Sequence, residues 1–563
     1  MKEKIISSIL ILIPIITFFG MFFLYMVNAP INDDYQAILD FLNKCISTDS
    51  FSEKIKLIFS QHNEHRIVYD RIWTIFSYKF HMYVNFTFLA FIGNLSILAI
   101  GLFFFRKFLC LKTSLFLFVP ISVLLFNLSN WENMTFAMAG MSNFTVLLFV
   151  ILSLNFIAKD TLSTKKNIII AILFFYLALL TQGGGIFILP VSILILLFKK
   201  EYKNILVYSL FVLPILIAYF YGFHRPQNTG LFTTLVEYNV KILVFVFAFL
   251  GNAFNYFLIY TNVVDQSFYV TAVIGFLLFV LFLYISKTKY YKKNLFNYSL
   301  MLFVVISSFV TAVSRVSFGL ETAGASRYRI NGIIFCISLY YWFIESNPKL
   351  NKRQIWTLSV ITVFYFFYIN LNQYEYLYFR KNQTLLGILH FNSDDQSRLN
   401  GDKSMVEAYG SMISESSTLD VYHFPDDQYL ETTFPFSRIV ENKMEETKGP
   451  NNISYSVDGI NKIKDSYLID GWAFLDGIST SGQEVYIGLK DIIQTEPKFY
   501  TTKQVQRFDL NPYFKKWNLN NGGFFCRIYT DKLDKGEYKI FVLVKTKEET
   551  KQIETDKKIN ILE

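Results

Sequence analysis

The stretch KEKIISSILILIPIITFFGMFFLYMVNAPINDDY, Lys2 to Tyr35, decides how this sequence is read. Its apolar run, Ile5 to Val27, is long enough to cross a bilayer as a helix, and it follows Lys2 and Lys4 as a secretory leader would. Pro30 stands directly after the small-residue site Val27-Asn28-Ala29 and disfavours cleavage, and more apolar runs follow. The run is therefore an uncleaved first helix that delivers Asn32-Asp33-Asp34-Tyr35 to the far membrane surface.

The remainder divides in two. Hydrophobic residues make up 53% of the 563 and aromatic residues 18%, more than a soluble core consumes, and the excess lies before Asn370. Apolar runs there, among them Asn85 to Phe105, Met141 to Ala158, Ile186 to Phe198, Phe268 to Ile285, Phe296 to Val313, Ile330 to Ile344 and Ile355 to Ile369, predict about eleven spans in all. Lys241 to Tyr260 is interrupted by Gly251, Asn252 and Asn255 and reads as a re-entrant or broken segment lining a cavity. The expected fold is a polytopic α-helical membrane protein: residues 1–371 with a long loop at 28–83, a mixed juxtamembrane segment at 372–450, and a β-sandwich-like domain at 451–563. Alternating stretches from Asn452 to Lys545, separated by Gly, Asn and Asp turns, carry the last assignment, with Trp472 expected in the core. Cys45, Cys110, Cys336 and Cys526 form no paired motif, which argues against a zinc or disulfide framework.

The net charge of +9 does not indicate nucleic acid, because its lysines sit in short loops between spans. Arg106, Lys107 and Lys112, then Lys159, Lys165 and Lys166, then Lys199, Lys200 and Lys203 alternate with loops almost free of Lys. By the positive-inside rule the N-terminus is cytoplasmic in a multi-pass plasma-membrane protein. Eleven spans then place the 28–83 loop, the loop Ser314 to Tyr328 and the C-terminal domain on the extracytoplasmic face. Sugar nucleotides are absent there, so an enzyme on that face needs a donor supplied by the membrane.

Two adjacent carboxylates at an interface are poorly explained by anchoring, although Asn32 or Asp33 also suits a helix N-cap. The same loop carries Gln61-His62-Asn63-Glu64-His65-Arg66, Asp70 and Arg71. His62 and His65 with Glu64 suit either a divalent metal or a hydrogen-bonded helix start. Glu132, Asn133, Gln182, His224, Arg225, Arg315 and Glu321 face the same way, and Gln182 precedes a glycine triplet that lacks a phosphate-loop lysine. Arg327 and Arg329 stand at the mouth of a span on the side the charge rule disfavours, as befits an anionic ligand or pairing with Glu321. Carboxylates and cations at one face suit glycosyl transfer: a carboxylate takes a proton from an acceptor hydroxyl while cations stabilise a phosphate leaving group.

At these residues the chain resembles the GT-C superfamily of integral-membrane glycosyltransferases, whose members carry an acidic motif in the first outer loop. Asp33-Asp34-Tyr35, His62-Asn63-Glu64-His65-Arg66, Trp131-Glu132-Asn133 and Ser326-Arg327-Tyr328 look like a set seen in uncharacterised bacterial polytopic members. The resemblance implies a polyprenyl-phosphate sugar donor, a cell-surface glycan or lipid-linked acceptor, and inverting transfer. It makes Asp33 or Asp34 the catalytic base, with Glu64 the nearest equivalent of a second acidic motif that in some members accompanies a divalent metal. His65, Arg66, Arg71, Arg327 and Arg329 are then expected around the donor phosphate, and Tyr35, His62, Asn63, Glu132, Asn133 and Gln182 around the acceptor or the cavity. An O-antigen or polysaccharide polymerase, a lipid or glycan transporter and a non-catalytic surface anchor are the competing classes.

Overall fold

The computed structural model describes residues 2–159, 164–224, 231–258, 264–392, 399, 403–425, 427–440, 446–447, 452–463, 466–491, 496–516 and 518–561. They fall into two compact units, Met1–Tyr378 with Ser411–His423, and Phe379–Gly410 with Phe424–Glu563. The segment expected as separate at 372–450 is thus shared between them.

In the first unit, apolar runs fold as helices because backbone groups without water must bond within their own segment. Eight described segments are long and apolar enough to cross a membrane: Lys2–Tyr25, Phe86–Leu109, Leu115–Thr135, Ala137–Ile157, Tyr202–Phe220, Phe268–Lys287, Leu295–Phe318 and the 40-residue Lys352–Phe391. The sequence led us to expect eleven. Thr164–Thr181 and Arg329–Ser346 open on polar residues, so their apolar stretches are shorter than their helices, and Gly183–Phe198 is short because its first turn is wound tightly over the glycine triplet.

The expected break falls where the polar residues stand: an α-helix over Asn239–Gly251 tightens into 3₁₀ turns over Asn252–Leu258. Gly251 abuts the Thr271 carbonyl and Gly275 of the neighbouring helix, a contact that no side chain would permit. The Asn252 amide donates to the carbonyls of Ala323 and Ala325 at 3.0 Å each, and Asn255 donates to Gly324 at 3.0 Å. The break therefore holds the loop that leads to Arg327. Helices Phe86–Leu109 and Ala137–Ile157 also meet backbone to backbone, where a Cβ on Gly93 would fall 2.5 Å from the Gly140 carbonyl carbon.

Residues 411–423 return to the first loop. Val84 N–H donates to the Val421 carbonyl at 2.9 Å, buried Tyr422 donates its hydroxyl to Asn28 O at 2.9 Å, and Ser416 bonds Asn43 at 2.9 Å.

The second unit contains two antiparallel four-stranded sheets, ordered β1-β2-β6-β5 and β4-β3-β7-β8. The strands are β1 Ile453–Ile463, β2 Ser466–Leu475, β3 Glu484–Asp491, β4 Lys498–Thr501, β5 Lys503–Val505, β6 Gly523–Tyr529, β7 Gly536–Lys545 and β8 Thr550–Ile561. Period-two patterning sends Ile469, Ala473, Ile487, Cys526, Ile540 and Val542 into a common core. Trp472 lies outside that core, half-buried in a smaller cluster against Phe474 and Phe514. Asp470 on the same face meets buried His390, from the end of the long helix, at 3.3 Å.

Candidate functional site

The first loop is built around its breaks. Asn28 accepts the Phe86 N–H at 2.8 Å and so ties the end of the first helix to the start of the next. Asp34 is fully buried; its carboxylate accepts Ile31 N–H at 3.2 Å and Met138 N–H at 3.0 Å. Met138 belongs to the first turn of Ala137–Ile157, so Asp34 caps a long helix from a distant part of the chain, offering oxygen acceptors to N–H groups at the helix start. Tyr35, also buried, starts one π-helical turn over Tyr35–Asp40. Asp33 keeps partial exposure, and its charge acts on both His62 and Arg327. The two aspartates thus have different tasks, one inside the fold and one at its surface.

Residues 62–65 form a tight turn in which His62 and His65 exchange backbone hydrogen bonds of 2.8 and 2.9 Å, with Asn63 in the left-handed region at φ 48°. Gln61 fixes the turn to His224, donating to its carbonyl at 2.5 Å and accepting its N–H at 2.9 Å. Arg66 donates to the carbonyls of Tyr219 at 2.7 Å, Tyr221 at 2.6 Å and Phe59 at 2.5 Å. Arg71 donates to the carbonyls of Leu57, Ile58 and Ser60 at the end of the Phe51–Phe59 helix. Arg329 donates to the Ser129 carbonyl at 2.9 Å and to Gln373 at 3.2 Å. These three arginines, expected at a donor phosphate, spend hydrogen bonds on the protein itself.

The turn presents Glu64 and His65 to a cavity of about 390 Å³. Glu64 pairs with Arg315 at 2.9 Å, both side chains remaining about a quarter exposed. His65 accepts the Gly183 N–H on Nδ1 at 3.3 Å. Enclosure by protein pushes its pKa down to about 4, so the ring is neutral at physiological pH. A side chain on Gly183 would fall 2.9 Å from that Nδ1, which explains why a glycine stands there. Asn143, Gln182, Tyr328 and Asn331 complete the polar part of its wall, and Val146, Leu147, Phe187, Phe249, Phe303 and Val310 supply the apolar part.

A row of amides orders the polar part of the cavity wall. Asn133 donates to the Arg327 carbonyl at 3.0 Å, Asn143 donates to Asn133 at 2.9 Å, and Gln182 donates to Asn143 at 3.0 Å. Glu132 accepts the Ser326 hydroxyl and, at 3.2 Å, the Arg327 N–H, and so caps the turn that carries Arg327. Burial works against the Arg327 charge, but Tyr328, Glu132 and Asp33 outweigh it and hold its pKa above the ordinary value. His62, beside Asp33, is shifted downward by burial.

The structure therefore brings together Glu64, His65, Asn133 and Gln182 on or just behind the cavity wall, and places Asp33 where its charge reaches both His62 and Arg327, with Glu132 bonded to the Arg327 N–H. Arg315, Asn143 and Asn331 gain roles that sequence reading did not give them. Asn143 had left a signal, since an amide inside an apolar helix is costly unless it is paired. Arg225 lies outside the described residues, and Glu321 is exposed. Among the described residues no group of three or more His, Cys, Asp or Glu side chains is arranged to hold a metal ion.

No protein-family model, no curated protein and no solved structure matches the chain.

Proposed function

We propose that this chain is an integral-membrane glycosyltransferase of GT-C type, moving a sugar from a polyprenyl-phosphate donor to a hydroxyl of a cell-surface glycan or lipid-linked acceptor. The observation that carries the reading is the mixed lining of the cavity, in which Glu64, His65 and Arg315 stand among Phe187, Phe249 and Phe303. An amphipathic donor with a phosphate head and a hydrocarbon tail suits that lining.

In the proposed reaction Asp33 takes the proton from the acceptor hydroxyl as its oxygen forms a bond to the anomeric carbon. The bond from that carbon to the phosphate oxygen breaks, and the electron pair leaves with the phosphate. Arg315 and Arg327 stabilise the charge that develops on it. Displacement from the opposite face inverts the anomeric centre. Helices Thr164–Thr181, Gly183–Phe198 and Arg329–Ser346 complete eleven crossings in this reading, with the 62–65 turn extracytoplasmic.

The test is saturable binding of polyprenyl phosphate to the purified chain in nanodiscs. Arg315→Gln and Arg327→Gln should each weaken binding by roughly 10- to 100-fold, as loss of a charge-assisted hydrogen bond requires. Wild-type protein that shows no saturable binding, or variants that bind as wild type does, would refute the donor assignment.

A further inference from the structure

A second cavity, of about 530 Å³, lies at the other ends of three helices that wall the first, Ala137–Ile157, Gly183–Phe198 and Leu295–Arg315. It is bounded by the last turns of Phe86–Leu109, Ala137–Ile157 and Ile188–Phe198 and by the first turn of Leu295–Arg315. Lys107, Lys159, Lys199, Lys292 and Lys293 line it, and Glu201 is the one carboxylate among its described lining residues. Glu201 is already occupied by Lys199 at 3.0 Å. Lys293 donates to the Glu345 carbonyl at 2.6 Å, while the Glu345 carboxylate takes the Tyr290 hydroxyl and the Asn294 amide at 2.9 Å. Lys107 and Lys159 rest on the rings of Phe296 and Phe156, at 5.2 and 4.1 Å. These contacts leave a strong excess of positive charge in one concavity.

Charge bias alone accounts for lysines in these loops but not for their convergence. The four loops are far apart in sequence, yet the fold gathers them around a hollow whose side wall is apolar, with Phe198 stacked on Tyr291 at 4.6 Å. The hollow also receives the N-terminus of a 21-residue helix. Asn294 caps the Asn297 N–H there, and the Leu295 and Phe296 amides stand in the first turn at the wall. Helix N–H groups, ammonium groups and an apolar wall side by side match a phosphate attached to a hydrocarbon.

We infer that this cavity binds the phosphate headgroup of an anionic lipid at the lysine-rich end of the bundle. The inference stands independently of the transfer reaction proposed above, since it uses none of the residues of the first cavity. The experiment titrates the purified full chain with short-chain phosphatidylglycerol, short-chain phosphatidylcholine and inorganic pyrophosphate. The wild type should bind phosphatidylglycerol saturably and phosphatidylcholine weakly.

Each lysine removed should cost about fivefold, so Lys107→Gln/Lys159→Gln/Lys292→Gln should lose affinity on the order of 100-fold. A charge-matched control, Lys112→Gln/Lys165→Gln/Lys166→Gln, should change it by less than about threefold. Pyrophosphate competing with equal strength and equal variant dependence would keep the phosphate site but transfer its ligand from a lipid to a soluble anion. Equal loss in the test and control variants would reduce the effect to diffuse attraction and overturn the proposal, as would a wild type without saturable binding. If the triple variant fails to fold, Lys292→Gln, at an exposed position, carries the test, with a loss of about fivefold expected and no loss contradicting the site.

Discussion

Asp33 and Asp34 are neighbours in sequence and opposites in environment. Asp34 is sealed against the N-terminus of Ala137–Ile157, so Asp34→Asn keeps one acceptor oxygen where two are used and turns a donor toward either Ile31 N–H or Met138 N–H. That change should lower stability by about 1 to 3 kcal/mol, read as a fall in thermal midpoint. Asp33→Asn should leave the midpoint nearly unchanged, because the residue is partly exposed and caps nothing described. Arg66→Ala should behave like Asp34→Asn: it deprives three carbonyls of their donor and loosens the 62–65 turn, so folded yield falls before any ligand is considered. His65 gives a pH signature. Its pKa is near 6.5 in the unfolded chain and about 4 in the folded one, so the unfolded state binds the extra proton between those values. The contribution of a neutral His65 is complete above about pH 6.5 and is lost as pH falls toward 4. The thermal midpoint should drop across that window, and His65→Gln should flatten the drop.

At the scale of elements, the glycine triplet joins the 62–65 turn to the membrane helices. Gly183→Ala would press a methyl group against the His65 ring and the Tyr219 hydroxyl, at 2.9 and 3.2 Å before any relaxation. Overpacking of that kind costs about 1 to 3 kcal/mol and should disturb the cavity more than the bundle, seen as weakened polyprenyl phosphate binding with secondary structure retained. Which elements could be foreseen follows from how local their causes are. The helix break at Gly251-Asn252 and the sandwich strands were legible, because polar interruption and period-two alternation are written within a few residues. Strand β8 was not, because TKQIETDKKINI buries residues only at intervals and draws support from cross-strand pairs, Lys539 with Glu554 at 2.5 Å and Lys558 with Glu537 at 2.7 Å. Eight of the about eleven expected spans are long apolar helices, because an apolar run does not state where polar ends will shorten it. In the site, Glu64, His65 and Arg327 were visible as residues out of place in a membrane protein. The roles of Arg66, Arg71 and Arg329 were not, since a guanidinium that serves backbone carbonyls has the same sequence signature as one that serves a phosphate.

Across the membrane-spanning unit, the polar cavity lies at one end of the helices and the lysines at the other. Orientation in the membrane is tested by labelling: a cysteine at Ser50, in the first loop, should react with an impermeant maleimide in intact cells, and protection there would reverse the proposed sidedness. The central claim is that the cavity of mixed polar and apolar lining and Asp33 together transfer a sugar. It is tested most directly by following a labelled sugar from a polyprenyl-phosphate donor to a hydroxyl acceptor in proteoliposomes, comparing wild type with Asp33→Asn. Transfer by the wild type and a fall of about 10²- to 10⁴-fold in the variant, with donor binding retained, is the result this claim requires. Equal transfer by both, or none by a wild type that binds the donor, would contradict it.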